Sequence, residues 1–182
     1  TVLLIMKYVA QKDVYNLVGY IVFSISMISL YLISTLYHGV KDEHTKKLLR
    51  YGDHCTILVL IAGSYTPVCL GPLRGLSGWI LLGVIWALAF AGIFAKIFCF
   101  DKVDKFTIVL YVAMGWAALF RINVLFKTLP IESSYWLVCG GLFYTLGTFF
   151  YSRDEEVPFF HAIWHVFVIL GSLGIFMCIY LF

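Results

Sequence analysis

Six apolar runs of near-membrane length, each closed by a short charged or turn-forming link, limit what this chain can fold into. A helix of about 20 apolar residues matches the ~30 Å hydrocarbon core of a bilayer. In lipid the backbone has no water to bond, so each segment must satisfy its own N–H and C=O groups, as a helix does. The runs do not alternate with period two, which argues against a membrane β-barrel. Only 13% of the residues are charged and 62% are hydrophobic, against roughly 25% charged in soluble domains. Mean hydropathy is +0.95. The expected fold class is all-α: a polytopic membrane protein, a seven-transmembrane helix bundle forming a single domain over residues 1–182.

The seven helices are read as follows. The chain opens at Thr1 inside an apolar run that ends near Lys7, so residues 1–9 read as the tail of a first helix, most of which is expected to be missing from this numbering. The second runs from Asn16 to His38, and a charged loop, Lys41 to Lys47, leads to Arg50. The third runs from Asp53 to Leu70 and is stopped by Gly71-Pro72. The fourth covers Ser77 to Phe98, the fifth Phe106 to Phe126 after the link Asp101 to Lys105, and the sixth Ser133 to Tyr151. Ser152-Arg153-Asp154-Glu155-Glu156 then precedes the seventh, Pro158 to Phe182. Basic residues favour the cytoplasmic side of a span. Lys41, Lys46, Lys47, Arg50, Lys96, Lys102, Lys105 and Arg153 fall on one side, and Lys7, Lys12, Arg74, Arg121 and Lys127 on the other. The expected location is the cell membrane, with the loops after the second, fourth and sixth helices cytoplasmic and the C-terminus outside.

Within the last run stands His161-Ala162-Ile163-Trp164-His165. Positions i and i+4 of a helix share one face a turn apart, so both imidazoles can address one object. A metal ion is one such object. Hydrogen bonds to neighbouring helices are the plainer alternative. The alternating topology adds His38, at the cytoplasmic end of the second helix, and Asp53, at the cytoplasmic start of the third, to the same membrane level. Ser34 lies one turn deeper than His38 on the same face. Three neutral imidazoles suit Zn²⁺ with a fourth position left for water. Asp53 is placed on that water or behind a ligand histidine, and Ser34 beside a carbonyl or oxyanion. Against this, Asp53 is also what a helix dipole favours in a first turn, and His38 is also an ordinary interfacial histidine.

The blocks Ser34-Thr35-Leu36-Tyr37-His38, Asp53-His54, Gly63-Ser64-Tyr65-Thr66-Pro67 and His161-Ala162-Ile163-Trp164-His165 come in this order across the chain. They resemble the signature blocks of the hemolysin III family, the bacterial branch of the progestin and adipoQ receptor family. Gly140-Gly141, Tyr144 and Gly147 fit the same pattern. The resemblance implies a seven-helix bundle with Zn²⁺ held by His38, His161 and His165 near the cytoplasmic face. It further implies that Asp53 acts on the bound water with Ser34 beside it. The wider superfamily includes alkaline ceramidases, and receptor members resemble ceramide hydrolases in activity. Bacterial members carry a cytolytic, pore-forming label.

Three functions follow as expectations. One is a zinc-dependent membrane hydrolase acting on a lipid amide or ester, with membrane lipid as substrate. The second is a pore-forming cytolysin, for which no pore-lining amphipathic helix is seen. The third is a ligand-sensing receptor with structural zinc. No nucleic-acid partner is expected. Among the remaining residues, His44 reads as solvated in a charged loop, His54 as a packing or interfacial histidine, and Arg121 as snorkelling to the outer interface. The cysteines Cys55, Cys69, Cys99, Cys139 and Cys178 are scattered singly and read as packing residues. The glycines of the sixth helix read as a face for close helix approach.

Overall fold

The computed structural model describes residues 2–154 and 156–182, with side chains except at 8–11 and 100–105. It is all-α, and no strand occurs among the described residues. The helices are α1 (Val2–Gln11), α2 (Val14–Gly39), α3 (Glu43–Leu70), α4 (Leu76–Cys99), α5 (Phe106–Thr128), α6 (Ile131–Tyr151) and α7 (Phe160–Leu181). Five of them, α2, α3, α4, α5 and α7, are long and apolar enough to cross a membrane. Together with the 62% hydrophobic composition, they make this a membrane protein.

Three boundaries differ from the sequence reading. First, α3 begins at Glu43, ten residues before the expected Asp53. The charged stretch is helical because Asp42 caps it: Asp42 Oδ2 accepts from the Thr45 backbone N–H at 2.8 Å. Glu43 then sits in the first turn, where the helix dipole favours an anion. His44 is exposed as expected, but on a helix and not in a loop. Second, the helical backbone runs on through 101–105, where a link was expected, and the break falls at Cys99 (φ −139°, ψ 35°). Third, α5 is interrupted by a 3₁₀ turn, Ala117–Arg121, before resuming at Ile122. Arg121 lies in this turn and is half-buried. Its Nε is shut off from solvent with no hydrogen-bond partner among the described residues.

The chain divides into two compact units, residues 1–114 and 115–182. In the first, α2 and α3 pack through small residues. A Cβ on Gly19 would stand 2.5 Å from Pro67 Cα, and one on Gly63 would collide with the Ser26 hydroxyl. Lys96, counted in the sequence as one more charge at the membrane face, has no exposed surface at all. An ion-pair cluster ties the start of α2 to the α3–α4 turn. Arg74 Nη2 donates to Asp13 Oδ2 at 2.5 Å, its Nε donates to the Leu70 carbonyl at 2.6 Å, and its guanidinium lies 4.7 Å from the Tyr15 ring. Asp13 also caps α2 by accepting from the Tyr15 backbone N–H at 2.9 Å.

In the second unit, α6 and α7 meet backbone to backbone. A Cβ on Gly174 would lie 2.7 Å from Gly140 Cα, and one on Gly171 would lie 2.7 Å from the Tyr144 ring. Tyr144 and Ser172 share a hydrogen bond of 2.8 Å across the same seam. Trp116 Nε1 donates to Thr145 Oγ1 at 2.9 Å, fastening α5 to α6. Without a hydrophobic drive between helices in lipid, such close approach and such polar contacts supply the association.

Two expected outcomes follow. Gly174→Ala should destabilise the protein by about 1–3 kcal/mol, because overpacking against main chain cannot relax. Gly141→Ala, whose Cβ would meet nothing within 4 Å, should leave stability unchanged or slightly raised. Thermal unfolding of both variants in nanodiscs compares them. The second outcome concerns Asp13, whose carboxyl is held below its ordinary value chiefly by the hydrogen bond from Arg74. A carboxyl depressed in the folded state stabilises fully above its unfolded pKa of about 3.9. It loses that contribution as pH falls through the lower folded value. Asp13→Asn should therefore shallow the fall in melting temperature between pH 5 and 2, read by the same method.

Candidate metal centre

In the first unit, α2 carries Ser34 and His38, four residues apart and so on one face. Ser34 is buried and His38 exposed, with His38 in the last turn before the helix is closed at Val40. Asp53 lies on α3 at 5% exposure, the third turn of a helix whose first turns are solvated. A buried carboxylate at that depth is costly unless it is paired or hydrogen-bonded. Its neighbour His54 is half-buried, and the His54 carbonyl accepts from Tyr111 Oη at 2.9 Å. That contact, made by the His54 main chain, fastens the start of α5 to α3.

In the second unit, the i, i+4 spacing does what it implies. His161 and His165 present their Nε2 atoms to each other at 3.1 Å, with ring centroids 4.7 Å apart. Trp164 is buried and tilted against both rings, 5.2 Å from His161 and 4.6 Å from His165, and on its other side packs on Tyr151 at 4.6 Å. That aromatic wall limits the rotamers open to the two imidazoles. On the far side of the His161 ring, Nδ1 stands 2.6 Å from Asp154 Oδ2. The sequence reading left Asp154 among the charges of a linking loop. No helical period connects it to His161, because residues 152–154 and 156–159 lie in turns and a bend, and Phe159 sits in the left-handed region (φ 68°).

Two nitrogens bound ~2.0–2.1 Å from one tetrahedral zinc ion lie about 3.3–3.4 Å apart. The 3.1 Å between the two Nε2 atoms is within a few tenths of an ångström of that separation. His161 and His165 thus offer two imidazole nitrogens on one face of α7, a donor type and spacing that suit such an ion, while His38 stands on α2 of the first unit.

Comparison with known proteins shows the family. The hemolysin-3 homolog of Bacillus subtilis (strain 168) is 41% identical over 165 residues, covering 91% of this chain and 77% of that protein. Hemolysin-3 of Bacillus cereus is 42% identical over 162 residues, 89% of this chain and 74% of that one. The human monocyte to macrophage differentiation factor is 31% identical over 158 residues, 81% of this chain and 63% of its own length. No solved structure matches the chain. Residues 1–176 match the family described as Haemolysin-III related. With a membrane-embedded helical fold, ordered signature blocks and relatives above 40% identity, this chain belongs to the Haemolysin-III related family.

Proposed function

We propose that this protein is a membrane-embedded zinc hydrolase that cleaves an amide bond, or an ester, in a membrane lipid of the ceramide type. His38, His161 and His165 hold one Zn²⁺ in this reading. The observation that carries it is the facing pair of Nε2 atoms at 3.1 Å in α7, since two imidazoles turned on each other suit a shared cation. An all-imidazole donor set favours zinc over the oxygen-seeking Mg²⁺ and Ca²⁺. When bound, the ion supplies a water that ionises near neutral pH and a Lewis acid for a carbonyl oxygen.

The chain's own residues take the remaining roles. Asp53, buried on α3, orients the attacking water, accepts its proton and passes it to the departing amine. Ser34, buried one turn deeper than His38, donates its hydroxyl hydrogen to the substrate carbonyl oxygen. Low water content around buried groups strengthens both interactions. The apolar exteriors of α2, α4 and α7 allow a lipid to approach from the bilayer. In the same reading the loops after α2, α4 and α6 are cytoplasmic. His44→Cys, in a background without accessible native thiols, should then resist a membrane-impermeant label applied to intact cells.

Metal content and turnover measured side by side test the chemistry. His161→Ala should lose zinc and lower the melting temperature, because a bound metal stabilises the folded state by mass action. Asp53→Asn should keep zinc at saturating concentration and keep its fold. It should lose most hydrolysis, on the order of 10- to 100-fold or more. Ser34→Ala should spare the metal and slow turnover. If wild type in lipid cleaves nothing in a panel of ceramides and N-acyl lipids, or Asp53→Asn cleaves as well as wild type, the hydrolase reading fails. Zinc retained without cleavage would point to a structural ion in a receptor. Ion leak through proteoliposomes would point to a pore.

A further inference from the structure

Asp154 is the residue near this site that sequence reasoning did not single out. It lies in the turn after α6, and its side chain is largely buried, at 17% exposure. The turn's own hydrogen bonds fix its backbone. The Arg153 N–H reaches the Phe150 carbonyl at 3.3 Å, the Asp154 N–H the Tyr151 carbonyl at 3.4 Å, and the Val157 N–H the Arg153 carbonyl at 3.1 Å. The carboxylate is thereby aimed back at the first turn of α7, where Oδ2 meets His161 Nδ1 at 2.6 Å.

A carboxylate can only accept, so the hydrogen in this contact belongs to Nδ1. A neutral imidazole carries one ring hydrogen. With Nδ1 occupied, Nε2 is left as a bare lone pair, and Nε2 is the atom turned toward His165. Left to itself in water, a histidine ring exchanges its hydrogen between the two nitrogens and turns about its side-chain bonds. We infer that Asp154 is a positioning residue, holding His161 in the Nδ1–H tautomer and in one ring orientation so that Nε2 is ready to bind a cation. This deepens the zinc reading and rests on it for its purpose, although the tautomer itself does not depend on metal. A plain staple between the α6–α7 turn and α7 would require neither the tautomer nor any effect on metal affinity.

The test uses the full chain in nanodiscs at pH 8, labelled with ¹⁵N-histidine. Ring nitrogens are read by long-range ¹H–¹⁵N correlation in the metal-free protein, with His161 assigned by the signals lost in His161→Gln. Wild type should show His161 as Nδ1–H, and Asp154→Ala should shift it toward Nε2–H. Chelator competition should give a Zn²⁺ dissociation constant raised about 10- to 100-fold in Asp154→Ala. Asp154→Asn keeps an acceptor of the same shape. It should show a smaller loss, and it serves if the alanine variant does not fold. A cationic or Nε2–H ring in wild type overturns the inference, as does wild-type zinc affinity in folded Asp154→Ala. A wild type that takes up no zinc at all sinks the hydrolase reading instead, and the ring tautomer then decides the role of Asp154.

Discussion

The absence of water in a bilayer governs this structure. Every peptide group in a span must find its partner inside the same helix, and every polar side chain must find one within its helix or on a neighbour, or pay for its isolation. The first demand produces the long helices. The second explains where the chain's polar residues go. Ser26, Ser64 and Thr66 return their hydroxyl hydrogens to carbonyls four residues back. Trp116 finds Thr145, and Tyr144 finds Ser172. Asp53 and Lys96 are ionisable groups that are buried as well.

The same constraint bears on His161 and His165. Two imidazoles a turn apart on an apolar helix could each have bonded to a different neighbour. They face one another, with Trp164 packed against both rings and, for His161, a carboxylate at the other ring nitrogen. Such an arrangement costs rotamer freedom at three side chains and desolvates one acid. That cost is hard to assign to packing, since an aliphatic pair would fill the same space without it.

Much of the fold could be read in the amino-acid sequence because membrane helices announce themselves by length and apolarity. Gly71-Pro72 marked the end of α3, and the i, i+4 spacing marked the shared face of His161 and His165. Other features failed to show for physical reasons. The stretch Glu43–Arg50 is helical because of a cap at Asp42. Hydropathy registers only its charge and so reads it as a loop. The 3₁₀ turn at Ala117–Arg121 has no Gly or Pro to signal it. Asp154 reaches His161 through a non-periodic turn. Periodicity places residues within an element, and contacts made by the chain doubling back lie outside what it can express.

The α6–α7 seam also sets what a damaged version of this protein could recover from. At Gly171 the obstacle to a larger residue is the Tyr144 ring, so trimming that tyrosine could reopen the space, at the loss of its bond to Ser172. At Gly174 the obstacle is the Gly140 Cα and N. Gly140 has no side chain to trim, and its main chain is common to all twenty amino acids. Second-site suppressors are therefore accessible to a lesion at Gly171, whereas a lesion at Gly174 is repaired only by reversion or by moving a whole helix. Two glycines three residues apart on one helix thus differ in evolutionary reversibility, according to whether each faces a side chain or the main chain.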